Sequence, residues 1–337
     1  MRILLLLCSC ALLCAQTKKA PPKIFELDPK GGAALAELPA LYAAAMARPY
    51  PLDMPNPVLR FSNLPFLPPD RKHRLDLYLR HGRDLKVRQP GVLFIHGGGF
   101  SGGDKAEYRS ASVSADLARA GYVVVSCDYV LGAKTDPGIW PRNIADCREA
   151  VRWMRANAEA IGLDPERIAV AGGSAGGDHA RMGGRSDDPP GPGGDPQAKV
   201  SARVSAVIDM YGVVDFSKHG RGDVPGVPAE RQRDYLPAFQ AGAGDPPVLI
   251  LHGTADTTVA LDQSELMAAA LAKVGVDHQF VVVEGAPHTF DLHPRGKSWK
   301  LSGVVGGRPV SGSSQSPELT QVTLEFLRRT VGEPSPR

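Results

Sequence analysis

The sequence predicts an α/β protein, with a mainly parallel sheet covered by helices on both faces. Two observations carry this. Most candidate strands are continuous apolar runs rather than alternating ones, as expected for strands buried on both faces, and they are separated by stretches with helical periodicity. A third observation concerns placement: glycine-rich turns recur directly after these runs, where open parallel sheets gather their sites.

Taken in order, residues 16–70 are rich in proline, with one alanine-rich helical stretch at 33–47, and read as an N-terminal extension lying against a domain. Residues 73–80 alternate apolar and polar, the period-two pattern of a half-exposed strand. Residues 91–95 form a continuous apolar run, followed by a helix near 110–120 and a strand at 122–127. An amphipathic helix is predicted at 141–160, because Ile144, Cys147, Val151 and Met154 recur at three- and four-residue spacing. Further strands are predicted at 167–171, 204–210, 247–251 and 279–283, with helices at 261–274 and 317–330. Two stretches break the rhythm. Residues 183–197 and 296–316 are dense in glycine, proline and polar residues and read as surface loops. No repeat and no linker divides the rhythm, so residues 71–337 are expected to form one domain.

A chain of 337 residues, 43% of them hydrophobic, is long and apolar enough to bury a sizeable core. Basic residues number 39 and acidic ones 36, a net charge of +3 with the two signs interspersed, which gives no footprint for nucleic acid. Met1-Arg2, the apolar run beginning at Ile3 and the small residues ending at Ala15 have the pattern of a secretory signal peptide, residues 1–15. Its apolar stretch is about 12 residues, against about 20 needed to span a bilayer as a helix, so export to the periplasm or outside the cell is expected, with no stable membrane span after processing. Cys10 and Cys14 are the positions that a lipoprotein anchor would use. Three of the five cysteines fall in this leader; Cys127 and Cys147 remain, too few for a disulfide scaffold and without the spacing of a metal site. They read as packed thiols.

The most informative stretch is Gly172-Gly173-Ser174-Ala175-Gly176, directly after a strand. A strand driven into a sharp turn lifts one serine above the end of a sheet, where small neighbours are needed, so Ser174 is the candidate nucleophile. His96-Gly97-Gly98-Gly99-Phe100 follows another strand. Its consecutive glycines allow backbone N–H groups of Gly98 and Gly99 to face a ligand, and each donor aimed at a developing oxyanion is worth about 2.7 to 4 kcal/mol in a transition state.

These motifs, with the helix 150–157 leading to Gly162-Leu163-Asp164-Pro165, with Tyr211-Gly212-Val213-Val214-Asp215, with His252-Gly253-Thr254-Ala255-Asp256 and with Gly285-Ala286-Pro287-His288, resemble the α/β-hydrolase superfamily. Within it the chain is similar to the HGGG-bearing carboxylesterases related to hormone-sensitive lipase and to feruloyl and acetyl-xylan esterase-like proteins. The resemblance runs from about residue 73 to residue 331 and implies the chain order serine, acid, histidine. Ser174 is then the nucleophile, His288 the base, Asp256 the acid, and the residue after the nucleophile, Ala175, a third oxyanion donor. Asp215 is a second candidate acid whose better reading is helix capping or loop support. His96 and His252 read as loop-shaping residues.

The reaction implied is hydrolysis of small acyl esters through an acyl-enzyme, with a small-molecule or carbohydrate ester as substrate and no metal or organic cofactor required. Acetyl or feruloyl esters of polysaccharide are among the candidates. A serine peptidase or amidase of the same fold, and a binding protein that keeps the fold without catalysis, stay open. The sequence sets no oligomeric state. Phe100, Trp140, Tyr211 and Phe216 are candidate pocket walls. Charges and glycines enter early in the helix after Ser174, residues 177–184, which leaves open a short helix or an altered support for the serine.

Overall fold

The computed structural model describes residues 24–26, 37–47, 57–132, 139–185, 199–219, 222–224, 227–290, 299–305, 308–312 and 318–335. The signal peptide expected at residues 1–15 lies outside the described residues.

The apolar runs form the centre of the sheet. Strands β4 (Gln89–Ile95), β5 (Val123–Cys127), β6 (Leu163–Gly173), β7 (Ala206–Met210), β8 (Val248–Gly253) and β9 (His278–Val283) are mutually parallel, in the order β5-β4-β6-β7-β8-β9. Because side chains alternate across a strand, each run divides between two cores. Leu93, Ile95, Val125, Val170, Val207 and Ile250 enter one core with α3 (Arg142–Ala156) and α7 (Asp262–Lys273). Val92, Phe94, Val124, Ala171, Ile208 and Leu249 enter the other, with α2 (Tyr108–Arg119) and α8 (Glu318–Thr330). Each buried aliphatic side chain contributes about 1.5 to 3 kcal/mol, which is why these runs carry almost no polar residues.

Several elements differ from the sequence expectation. The segment 16–70 supplies not only helix α1 (Leu38–Met46) but two strands, β1 (Ile24–Glu26) and β2 (Val58–Pro65), paired parallel to each other. Strand β2 then pairs antiparallel with β3 (Arg74–Arg80). The alternation in β3 does not mark a solvated face, since its five central residues are all buried. Tyr78 packs in the core that includes α2, while the Asp76 carboxylate accepts the Asn63 amide at 2.8 Å and faces Lys105 Nζ at 3.7 Å.

The helix expected at 141–160 breaks at Asn157, where α4 (Ala158–Ile161) begins. Gly183 and Gly184, expected in a surface loop, end a ten-residue helix, α5 (Ala175–Gly184). A Cβ built on Gly184 would lie 2.7 Å from Val204 Cγ2 and 3.0 Å from Val170 Cγ1, so glycine there reflects close packing on the sheet rather than a loop. The stretch 296–316 contributes a hairpin, β10 (Leu301–Val305) and β11 (Arg308–Gly312), with β10 antiparallel to β9. The described strands thereby form an 11-stranded sheet.

Candidate active site

Five non-glycine residues among those described have positive φ, and four of them stand just beyond parallel strands: Phe100 after β4, Ser174 after β6, Tyr211 after β7 and Thr289 after β9. Such conformations cost on the order of 1 to 3 kcal/mol each and persist where the surrounding structure over-determines them. Ser174 has φ 57° and ψ −125°, so the chain reverses there between strand and helix. Its amide donates to the Met210 carbonyl at 2.9 Å and its carbonyl accepts the Gly177 amide at 2.9 Å. The turn is therefore fixed to β7 on one side and to α5 on the other. Ala175 is the first residue of that helix, where an N–H has no partner within the helix.

The glycine loop after β4 lies against this turn. A Cβ built on Gly97 would fall 2.8 Å from the Gly173 carbonyl and 3.3 Å from Ser174 Cβ. Gly98, at φ +118°, takes a conformation closed to other residues, and its carbonyl accepts the amides of Ser101 at 3.2 Å and Gly102 at 3.0 Å. Three contacts hold the loop from behind. The Tyr129 hydroxyl donates to the His96 carbonyl at 3.0 Å, the Tyr129 and His96 rings stack at 4.4 Å, and the Gly132 amide donates to the Phe100 carbonyl at 2.9 Å.

Asp256 and His288 come together from the loops after β8 and β9. His288 Nδ1 donates to Asp256 Oδ2 at 2.6 Å, because a carboxylate can only accept, and this leaves Nε2 as the acceptor nitrogen of a neutral ring. The Asp256 carboxylate also accepts the Thr258 amide at 2.8 Å and the Val259 amide at 2.9 Å, with His252 Nε2 at 3.4 Å. Burial alone would raise its pKa; the hydrogen bonds from His252, His288 and Val259 outweigh this and hold the carboxyl well below the usual range. His252 is buried and braces the acid loop, with Nε2 donating to the Val259 carbonyl at 2.9 Å and Nδ1 facing Ser264 Oγ at 2.7 Å. The Tyr211 ring packs edge-on against the His288 ring at 4.6 Å. Since Ser174 N binds the residue before Tyr211, the turn and the imidazole share that wall. Among the described residues no hydrogen bond joins the Ser174 hydroxyl to His288.

Asp215 stays apart from this pair. It accepts the Ser217 amide at 3.0 Å and hydroxyl at 2.6 Å, which caps its own loop. Of the candidate pocket walls, Phe100, Trp140 and Phe216 pack in one cluster with Ala175 and Tyr235, whereas Tyr211 backs the histidine. The polar helix α5 is wholly buried. His179 lies among the rings of Phe100, Tyr129 and Trp140, and burial followed by the charge of His96 pushes its pKa down to about 3. Two further residues shape the site although no sequence motif singles them out: Tyr129, which braces the glycine loop, and Arg109, which lies against Gly173.

The model of the BD-FAE family matches residues 75–271, more than half of the chain. The chain belongs to the BD-FAE family. It is 29% identical over 243 residues to esterase LipC of Mycobacterium tuberculosis, a match covering 66% of this chain and 58% of LipC. The match to the probable carboxylic ester hydrolase LipM of the same organism covers 54% of that protein, so the chain spans little more than half the length of these relatives. Among solved structures, esterase 2 of Thermogutta terrifontis phosphonylated by cyclosarin aligns with TM-score 0.62 and 27% identity, over 80% of this chain and 93% of that one. A truncated carbohydrate esterase from gut microbiota aligns with TM-score 0.60 and 25% identity, over 71% and 91%. The architecture of this BD-FAE chain is that of the α/β-hydrolase superfamily, as the resemblance implied.

Proposed function

We propose that the protein is a serine carboxylesterase acting on small acyl esters. The observation that carries this reading is the Asp256–His288 pair at 2.6 Å, set across Tyr211 from a strained serine turn. Ser174 Oγ attacks the ester carbonyl while its proton passes to His288 Nε2, and the ionised Asp256 holds the imidazole in the required tautomer and steadies the imidazolium. The amides of Gly98, Gly99 and Ala175 receive the oxyanion. His288 then returns the proton to the leaving alcohol, and water, deprotonated by the same nitrogen, releases the acid from the acyl-enzyme.

Short acyl groups are the favoured substrates, and the Thermogutta esterase, whose structures include propionate-bound and butyrate-bound forms, supports that choice. A carbohydrate alcohol, such as an acetylated or feruloylated sugar, is the next arm, supported by the gut carbohydrate esterase. The sequence of residues 1–15 supports export of the enzyme. Among the described residues no helix is long and apolar enough to cross a membrane.

The test is a panel of p-nitrophenyl esters of graded chain length, acetylated xylan and feruloylated sugars, run with wild type and Ser174→Ala. Wild type is expected to prefer short acyl chains, and the variant to lose on the order of 10⁴-fold in kcat or more. Retained turnover in Ser174→Ala, or faster cleavage of amides than of esters, would overturn the reading.

A further inference from the structure

Of the buried cations among the described residues, Arg109 bears directly on the turns of the site. Arg109 lies on α2, is only 5% exposed, and sends its guanidinium under the site rather than outward. Its Cζ stands 5.2 Å from the centre of the Tyr211 ring and 5.7 Å from that of Phe94. It also bears on the two turns that carry the chemistry. The three atoms nearest to a Cβ built on Gly173 all belong to this guanidinium, with Cζ at 2.7 Å and Nη1 at 2.9 Å. A Cβ on Gly97 would be 3.4 Å from Nη1. Gly173 immediately precedes Ser174, Gly97 immediately precedes the oxyanion glycines, and Tyr211 packs on His288. One side chain therefore touches the ends of β4, β6 and β7 at the point where each hands over to a reacting group.

A side chain at residue 173 would occupy the space of the guanidinium, so glycine there lets Arg109 lie against the serine turn. A guanidinium keeps its charge at every working pH and stacks on aromatic faces as a lysine ammonium does not. Resting on the proposed esterase reading, we propose that Arg109 is a positioning residue. It fixes the oxyanion loop, the Ser174 turn and Tyr211 in one arrangement, and keeps a fixed positive charge behind the peptides that receive the oxyanion. It touches neither substrate nor reacting atom.

The experiment compares wild type, Arg109→Met and Arg109→Lys on p-nitrophenyl acetate, following kcat, KM, Tm and the rate of covalent labelling by a fluorophosphonate probe. Misplacing catalytic groups by about 1 Å costs on the order of 100-fold, so Arg109→Met is expected to lower kcat and the labelling rate by about 10- to 100-fold, with KM within about threefold. Arg109→Lys, which keeps the charge but not the planar stack, is expected to recover about fivefold or more of that loss. Unchanged kcat in Arg109→Met, or a rise in KM with kcat intact, would overturn the proposal. Equal losses in the two variants would overturn the part assigned to charge. If Arg109→Met does not fold, Gly173→Ala displaces the guanidinium while retaining it, and an unchanged kcat there would likewise overturn the proposal. Wild type without ester turnover or labelling would instead count against the esterase reading itself.

Discussion

Asp256 and Asp178, whose side chains are both closed to solvent, have opposite chemistry. Asp256, in the loop after β8, accepts two backbone amides and His288, with His252 beside it, and these donors hold its carboxyl ionised. Asp178, one helical turn behind Ser174, has His179 Nδ1 at 3.2 Å on one oxygen and no hydrogen-bond partner on the other. Burial, and then the charge of Asp209, push its pKa well above the usual carboxylate value. Burial acts on both in the same direction. Asp178 lies deeper and has fewer donors on its carboxylate, and the two differences together decide the outcome. Only Asp256 therefore suits the task of supporting an imidazolium, although Asp178 lies closer to the nucleophile in sequence.

Asp256→Asn strikes this contrast hardest. An amide at that position stops enforcing the Nδ1–H tautomer of His288, and kcat for p-nitrophenyl acetate is expected to fall by on the order of 10³ to 10⁴-fold with little change in Tm. A loss of less than tenfold would show that another carboxylate serves.

Asp178→Asn should change kcat by less than about threefold, since a protonated carboxyl and an amide present similar groups to their neighbours. Its effect is on stability. A carboxyl whose folded pKa is raised lends stability below its unfolded value, about 3.9, and loses it as pH rises. The variant is therefore expected to melt at least about 2 °C higher than wild type at pH 7, as read by calorimetry. A lower Tm would mean that Asp178 is ionised in the fold.

The smallest effect concerns its neighbour. His179 is held neutral, so its contribution is complete above its unfolded pKa of about 6.5 and is lost as pH falls toward about 3. Over that window each pH unit costs up to about 1.4 kcal/mol. In His179→Phe the fall of stability between pH 6 and pH 4, followed by urea titration, should be shallower by a measurable part of that slope. A fall as steep as that of wild type would place the titration elsewhere.

The same contrast shows what the sequence could disclose. Strands β4 to β9 announce themselves because burial on both faces demands unbroken apolar runs, and the site turns stand out because glycine and serine interrupt those runs at strand ends. Helix α5 was harder to read: Asp178, His179 and Arg181 look like surface residues, and only tertiary partners, Asp245 among them at 3.8 Å from Arg181, make them interior ones. The hairpin β10–β11 carries a turn signal, Gly306-Gly307 directly after Val304-Val305, that Arg308-Pro309 on its far side obscures. Strand β2 was hidden by the prolines around it and by a register shift between Phe61 and Leu64. Arg109 gave no local sign, because its importance comes from three strand ends meeting in space.

Strand β2 has a practical consequence. The family match begins at residue 75, yet the chain from Val58 to Pro65 pairs with β3 along nearly its whole length, and the Tyr42 hydroxyl of α1 reaches across to the Arg83 carbonyl at 2.9 Å. A polypeptide trimmed to the family boundary would lose this cover and present a row of unsatisfied backbone donors and acceptors, an invitation to intermolecular pairing and precipitation. For heterologous production, the safe starting point lies well upstream of the glycine-rich motifs.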